Sequence, residues 1–179
     1  MALAVSLAMP AQAAVTVRAK TTQAKAAPVP QCTTSSLQPW EATGAGSSAA
    51  GSTFHLIQVT NISGRTCFVH GFLGLSATNG QQIGNAATWV KSKPAESWTL
   101  RPGKTAHTVL QVVNPANFAP AVCQQTEAIG LQVYPPNQTQ PTFIPLALRV
   151  CAGTKTPVPD LMETEPLQPG VAIPGINAS

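Results

Sequence analysis

The stretch Thr53-Phe54-His55-Leu56-Ile57-Gln58-Val59-Thr60-Asn61 decides the fold class. Its β-branched and aromatic residues alternate with polar ones, the pattern of a strand with one buried face. Ile62-Ser63-Gly64-Arg65 follows as a turn, and the chain re-enters an extended run over residues 66–77. The same punctuation recurs downstream. Asn79-Gly80 is the favoured pair for a tight hairpin turn, since both residues tolerate positive φ. Arg101-Pro102-Gly103-Lys104 joins residues 98–100 to 105–113. Residues 129–134 and 143–150 pair around Pro135-Pro136-Asn137. In the last run Leu146, Leu148 and Val150 alternate with Ala147, Arg149 and Cys151, one face buried and one wet. No segment has the periodicity of an amphipathic helix. The expected fold is all-β: an immunoglobulin-like antiparallel β-sandwich of seven to eight strands.

Composition agrees with that architecture and points to a compartment. Hydrophobic residues make up 44% of the 179-residue chain, enough for a core, but charged residues only 9%. Soluble domains typically carry about 25%, so Ser, Thr, Gln, Asn, Gly and Pro must supply the wet surface. The 17 prolines oppose long helices. Residues 1–13 read as the remnant of a secretory signal, with an apolar stretch over 2–9 and the small-x-small site Ala11-Gln12-Ala13. A basic n-region is missing, as expected of a signal whose true start lies upstream; the competing reading is an apolar N-terminal strand. Residues 14–31, rich in Ala, Thr and Lys, read as a disordered linker. The sandwich is expected over 32–170, with a last edge strand over 160–166, and a flexible tail over 171–179. No stretch approaches the roughly 20 apolar residues of a membrane-spanning helix. The net charge of +4 resides mostly in Arg18, Lys20 and Lys25, ahead of Cys32. Beyond them the basic residues are scattered singly, so the footprint of a nucleic-acid binder is missing.

Cys32, Cys67, Cys123 and Cys151 in an exported chain are expected to be oxidised. Four cysteines allow three connectivities; the favoured one is Cys32–Cys67 with Cys123–Cys151. Each loop of that size contributes about 3–4 kcal/mol by restricting the unfolded chain. A metal site is the rival reading, but no close Cys pair or Cys–His spacing supports it.

Several short motifs stand in a familiar order: Gly51, Thr60-Asn61-Ile62-Ser63-Gly64-Arg65-Thr66-Cys67, Gly71-Phe72-Leu73-Gly74 and Leu100-Arg101-Pro102-Gly103-Lys104-Thr105-Ala106. Cys123, Cys151 and the closing Glu165-Pro166-Leu167-Gln168-Pro169-Gly170 complete the series. Together they resemble the secreted actinobacterial family called domain of unknown function 4232, over residues 31–170. Leu73 departs from the pattern, where the family usually carries Pro after the aromatic. The resemblance implies an extracellular or lipoprotein β-sandwich and supplies no catalytic residues.

The inventory of reactive side chains argues against catalysis. Asp160 is the single Asp, and Glu41, Glu96, Glu127, Glu163 and Glu165 are the other carboxylates. No local spacing pairs two of them as glycoside hydrolysis requires. A nucleophile elbow, a phosphate loop and a dinucleotide fingerprint are all missing. The alternative is a hydrolase built from His55 or His70 with a distant Glu. A weaker one is a copper or zinc site in which His55 and His70 face each other across a hairpin, with His107 and Met162. Trp89 and Trp98 flank Lys91, Lys93 and Glu96 in the stretch least explained by strand alternation. They either form a platform for a sugar or peptide or fix this loop onto the sandwich. The expected function is therefore non-catalytic, without a cofactor. The expected partner is an envelope polymer or a protein, met outside the cell or loosely at its wall.

Overall fold

The computed structural model describes residues 27–42, 47–153 and 159–173. The segment expected as a signal remnant, most of the expected linker and residues 174–179 of the expected tail lie outside them. Strands β1 (Leu37–Glu41), β2 (Ser47–Ala49), β3 (Ser52–Asn61), β4 (Cys67–His70), β5 (Gly74–Thr78) and β6 (Thr88–Trp89) come first. Then follow β7 (Ser97–Leu100), β8 (Thr105–Val113), β9 (Gln125–Tyr134), β10 (Thr142–Cys151), β11 (Met162–Thr164) and β12 (Gln168–Pro169). Eight of these have four residues or more, and the rest are short ladders of two or three residues.

One sheet runs β1-β3-β8-β11-β6, with β2 on β3 and β12 on β8; a second runs β10-β9-β5, and β4 pairs with β7. All pairs are antiparallel except β11 with β6. Side chains alternate across a strand, so register decides what enters the core. Ile57 and Val59 of β3 lie beside Thr108 and Ala106 of β8. They meet Leu75, Leu131 and Ile144 of the second sheet and Val69 and Leu100 of the β4–β7 ribbon in one buried cluster. The result is a β-sandwich.

Both disulfides form as favoured, Cys32–Cys67 and Cys123–Cys151. The first fastens the N-terminal segment to β4, where the Phe68 amide also donates to Pro30 O at 2.9 Å. The second joins a single helical turn, Pro120–Cys123, to the end of β10 and closes the open end of the β9–β10 hairpin. The free edge of β10 carries Pro145 and a bulge before Leu148, devices that discourage edge-to-edge pairing.

Three expectations need correction. Residues 66–77 are not one strand: Gly71 adopts φ +97°, and the chain leaves the β4–β7 ribbon to join the second sheet as β5. The turn at 101–104 joins β7 to β8 as expected and passes the chain between sheets. The strand expected at the edge, now β11, sits between β8 and β6. Finally, the chain stays packed beyond Gly170. Ala172 is buried, and its N–H and C=O bond both ends of the Gln58 side chain at 3.2 and 3.0 Å. Trp40, Ala42, Leu56, Val109 and Ala172 form a small second core there, which covers the outer face of β3. That cover explains why β3 is buried on both faces although its sequence alternates.

Candidate functional site

The break between β4 and β5 creates the main surface feature. Gly71 turns the chain so that Leu73 enters the core, fully buried, while Phe72 points outward half-buried. The Gly71 carbonyl accepts from Leu167 N at 2.8 Å, which fixes the turn. The parallel β6–β11 pairing brings Trp89 alongside. Its ring stacks on Phe72 with centroids 5.2 Å apart and planes 9° from parallel, an offset arrangement that aromatic quadrupoles favour. From the second sheet, Tyr134 lies over Gly74; a Cβ there would stand 3.1 Å from Tyr134 Cβ. Beyond it, Pro135-Pro136-Asn137-Gln138 makes a tight turn, closed by Gln138 N donating to Pro135 O at 3.0 Å, with Asn137 at φ +59°.

These elements enclose a cleft of about 490 Å³, walled also by His70 and Ala95. Ligand sites typically span roughly 300–1,000 Å³. Trp89 remains 52% exposed although Phe72 backs it. No Lys, Arg, Asp or Glu lines the cleft among the described residues. His70 Nδ1 is 3.0 Å from Ser97 Oγ across the β4–β7 ladder. The loop leading to Ala95 is held by Val90 N donating to Thr164 O and by an exposed Lys93–Glu165 ion pair at 2.7 Å.

Trp98 does not share this cleft. Its indole N–H donates to Leu167 O at 2.7 Å and its ring packs against the core, so it staples the loop to the sandwich. Of the two tryptophans weighed as a platform or as anchors of the loop, Trp89 alone faces a ligand-sized space. Its companion Phe72 was not singled out as a ligand-binding residue by the sequence, in which a Gly-flanked aromatic was the available signal.

The histidines are dispersed. β3 and β4 do not pair, so His55 and His70 do not meet across a hairpin. His107 lies on β8, with Nδ1 3.0 Å from Gly170 O. Met162 is buried in the core. Among the described residues, no group of three His, Cys, Asp or Glu side chains could hold a metal ion. His55 has a different setting. It is 8% exposed, and its Nδ1 lies 2.7 Å from Glu41 Oε1. An ionised carboxylate only accepts, so that contact places the proton on Nδ1. His55 lines a second cleft of about 480 Å³, with Asn114 and Arg149 on its other walls.

The family model described as Domain of unknown function (DUF4232) matches residues 32–166, about three quarters of the chain. The chain belongs to that family. No curated protein matches it. The DUF4232 match begins at the first cysteine of the Cys32–Cys67 bridge and ends beyond β11, so it spans both disulfides and every aromatic wall of the first cleft. Leu73 is a core residue in this DUF4232 domain, and the outward position beside it belongs to Phe72.

Proposed function

We propose that this DUF4232 domain is exported and acts as a non-catalytic binding module, holding an envelope component or another protein in the Phe72–Trp89–Tyr134 cleft. The half-exposed indole stacked on Phe72 carries the reading. An aromatic surface that remains open in a chain with only 5% aromatic residues is a costly feature for a core to leave outside. Export is supported by two disulfides, which persist in oxidising compartments. It is also supported by the signal-like residues 1–13, and among the described residues no helix is long and apolar enough to cross a membrane. Purified protein should be retained saturably by cell-envelope fractions, and Trp89→Ala should abolish retention without lowering the melting temperature. Equal retention of the variant would remove the cleft from the account.

One observation favours a second reading, an esterase-type hydrolase. Glu41 orients His55 so that the other ring nitrogen is left as a base beside the second cleft. That nitrogen would take a proton from water attacking an acyl ester and return it to the alcohol that departs as the acyl C–O bond breaks, with Glu41 stabilising the imidazolium in between. A chromogenic ester screen comparing the wild type with His55→Gln separates the readings. The binding-module reading expects identical background rates, and a rate lost on substitution supports the hydrolase.

A further inference from the structure

From the chemistry of the same cleft we infer its ligand class: an uncharged saccharide segment, seated with a pyranose ring on the open face of Trp89. The inference rests on the binding-module reading and sharpens it. Phe72 covers one face of the indole, 5.2 Å away and nearly parallel, so the other face is a rigid platform whose orientation is fixed before binding. A pyranose presents a flat patch of C–H groups that complements such a face, while its hydroxyls need partners at the edge.

The rim supplies partners of the right kind. Asn137 and Gln138 carry side-chain amides, each a donor and an acceptor held together, which match paired vicinal hydroxyls. Asn137 is exposed, and its amide nitrogen reaches only a 3.5 Å contact with Gln31 Oε1, so exchanging that contact for a sugar hydroxyl costs little. Its backbone is left-handed, φ +59°, within the Pro135–Gln138 turn that lines the cleft.

Charge selects among envelope polymers. No Lys or Arg lines the cleft among the described residues, so a phosphate-rich or uronic polymer would enter without a counter-charge. No Asp or Glu lines it either, which removes cationic polymers. A neutral glycan loses nothing on entering. A proline-rich peptide also favours aromatic grooves, and it is treated as a rival outcome.

The test is indole fluorescence of the whole protein, titrated with neutral gluco-, manno- and galacto-oligosaccharides, a uronic oligosaccharide and a polyproline peptide. The expected result is saturable quenching by at least one neutral oligosaccharide and by no uronic one, insensitive to added salt. Read by isothermal titration calorimetry, which does not depend on the indole that the substitution removes, Trp89→Ala and Asn137→Ala should each weaken binding about tenfold or more. His55→Gln, in the other cleft, should leave it unchanged. Binding of polyproline alone, lost in Trp89→Ala, overturns the saccharide assignment and leaves the cleft standing as a site. Salt-sensitive binding of the uronic oligosaccharide also overturns the assignment. Binding of neutral sugar that survives Trp89→Ala overturns the cleft reading itself.

Discussion

Replacing Asn61 by Asp exchanges one NH₂ for one oxygen at the point where the sheets are joined. Asn61 is fully buried at the end of β3. Its Nδ2 donates to Arg65 O at 2.8 Å and to Leu100 O of β7 at 2.9 Å. Its Oδ1 accepts from Ser63 N at 2.9 Å and from Ser63 Oγ at 2.7 Å. Its backbone N–H and C=O bond Lys104 O and Gly103 N at 2.9 and 2.8 Å. Asn61→Asp removes both side-chain donors, about 1 kcal/mol each, and turns an oxygen toward two carbonyls. Burying the ionised carboxyl adds several kcal/mol, so the total loss near neutral pH is about 4–5 kcal/mol. Protonation returns one O–H donor, which reduces the loss in acid to about 1–2 kcal/mol. The introduced carboxyl is harder to ionise in the folded state than in the unfolded chain. The gap between variant and wild type is therefore smallest below about pH 3.9 and widens with rising pH by up to about 1.4 kcal/mol per unit, until the folded-state group ionises. Urea unfolding of both proteins across that range measures it. A difference below about 1 kcal/mol that does not change with pH would refute the reasoning.

Other substitutions probe separate parts of the fold. The β2–β3 hairpin turns on Ala50-Gly51 at φ +48° and +77°, a two-residue turn that favours Asn-Gly. Ala50→Asn should raise stability by about 0.5–1 kcal/mol in chemical denaturation, and no gain would discredit the turn assignment. Gln58→Leu removes both bonds to Ala172 and should cost about 2 kcal/mol. It should also speed hydrogen exchange at Ala172, whereas unchanged protection there would show that the tail is held elsewhere. The two disulfides close loops of 35 and 28 residues. Removing each as a Cys→Ser pair should therefore cost nearly the same, about 3.8 and 3.6 kcal/mol, and a several-fold inequality in unfolding free energy would contradict the chain-entropy account. Gly130→Ala should destabilise by more than about 2 kcal/mol, because its Cβ would collide with the Phe143 ring and the Ile144 carbonyl; a melting temperature equal to wild type would show that the ring moves aside freely.

What could be read in the sequence depended on whether the signal was local. The alternation from Thr53 to Asn61 and the paired runs around Pro135-Pro136 are local, and both are strands as read. Asn79-Gly80 does turn the chain, with Gly80 at φ +97°, but only a single bridge between Thr78 and Gln82 follows it. The break at Gly71 escaped notice because a glycine within an extended run is equally compatible with a bulge or with a change of sheet. Gln58 looked like a solvent-facing residue, since nothing in its neighbourhood reveals that a segment 114 residues away returns to cover it. The cleft was legible through single aromatics such as Trp89 and not as a cluster. Phe72 and Tyr134 reach it from distant parts of the chain, and their convergence is a property of sheet order. Trp98 was paired with Trp89 by proximity in sequence, but the backbone carbonyl of Leu167 claims its indole N–H.

The three tryptophans give the sharpest test of the aromatic cleft. Trp40 and Trp98 donate their indole N–H groups internally, to Thr60 Oγ1 at 3.0 Å and Leu167 O at 2.7 Å, whereas Trp89 is half-exposed at the cleft. In a ¹⁵N-resolved NMR titration with solubilised envelope material, the Trp89 indole resonance alone should shift and saturate. Saturable binding that leaves Trp89 unmoved, or that moves Trp40 instead, would contradict the account.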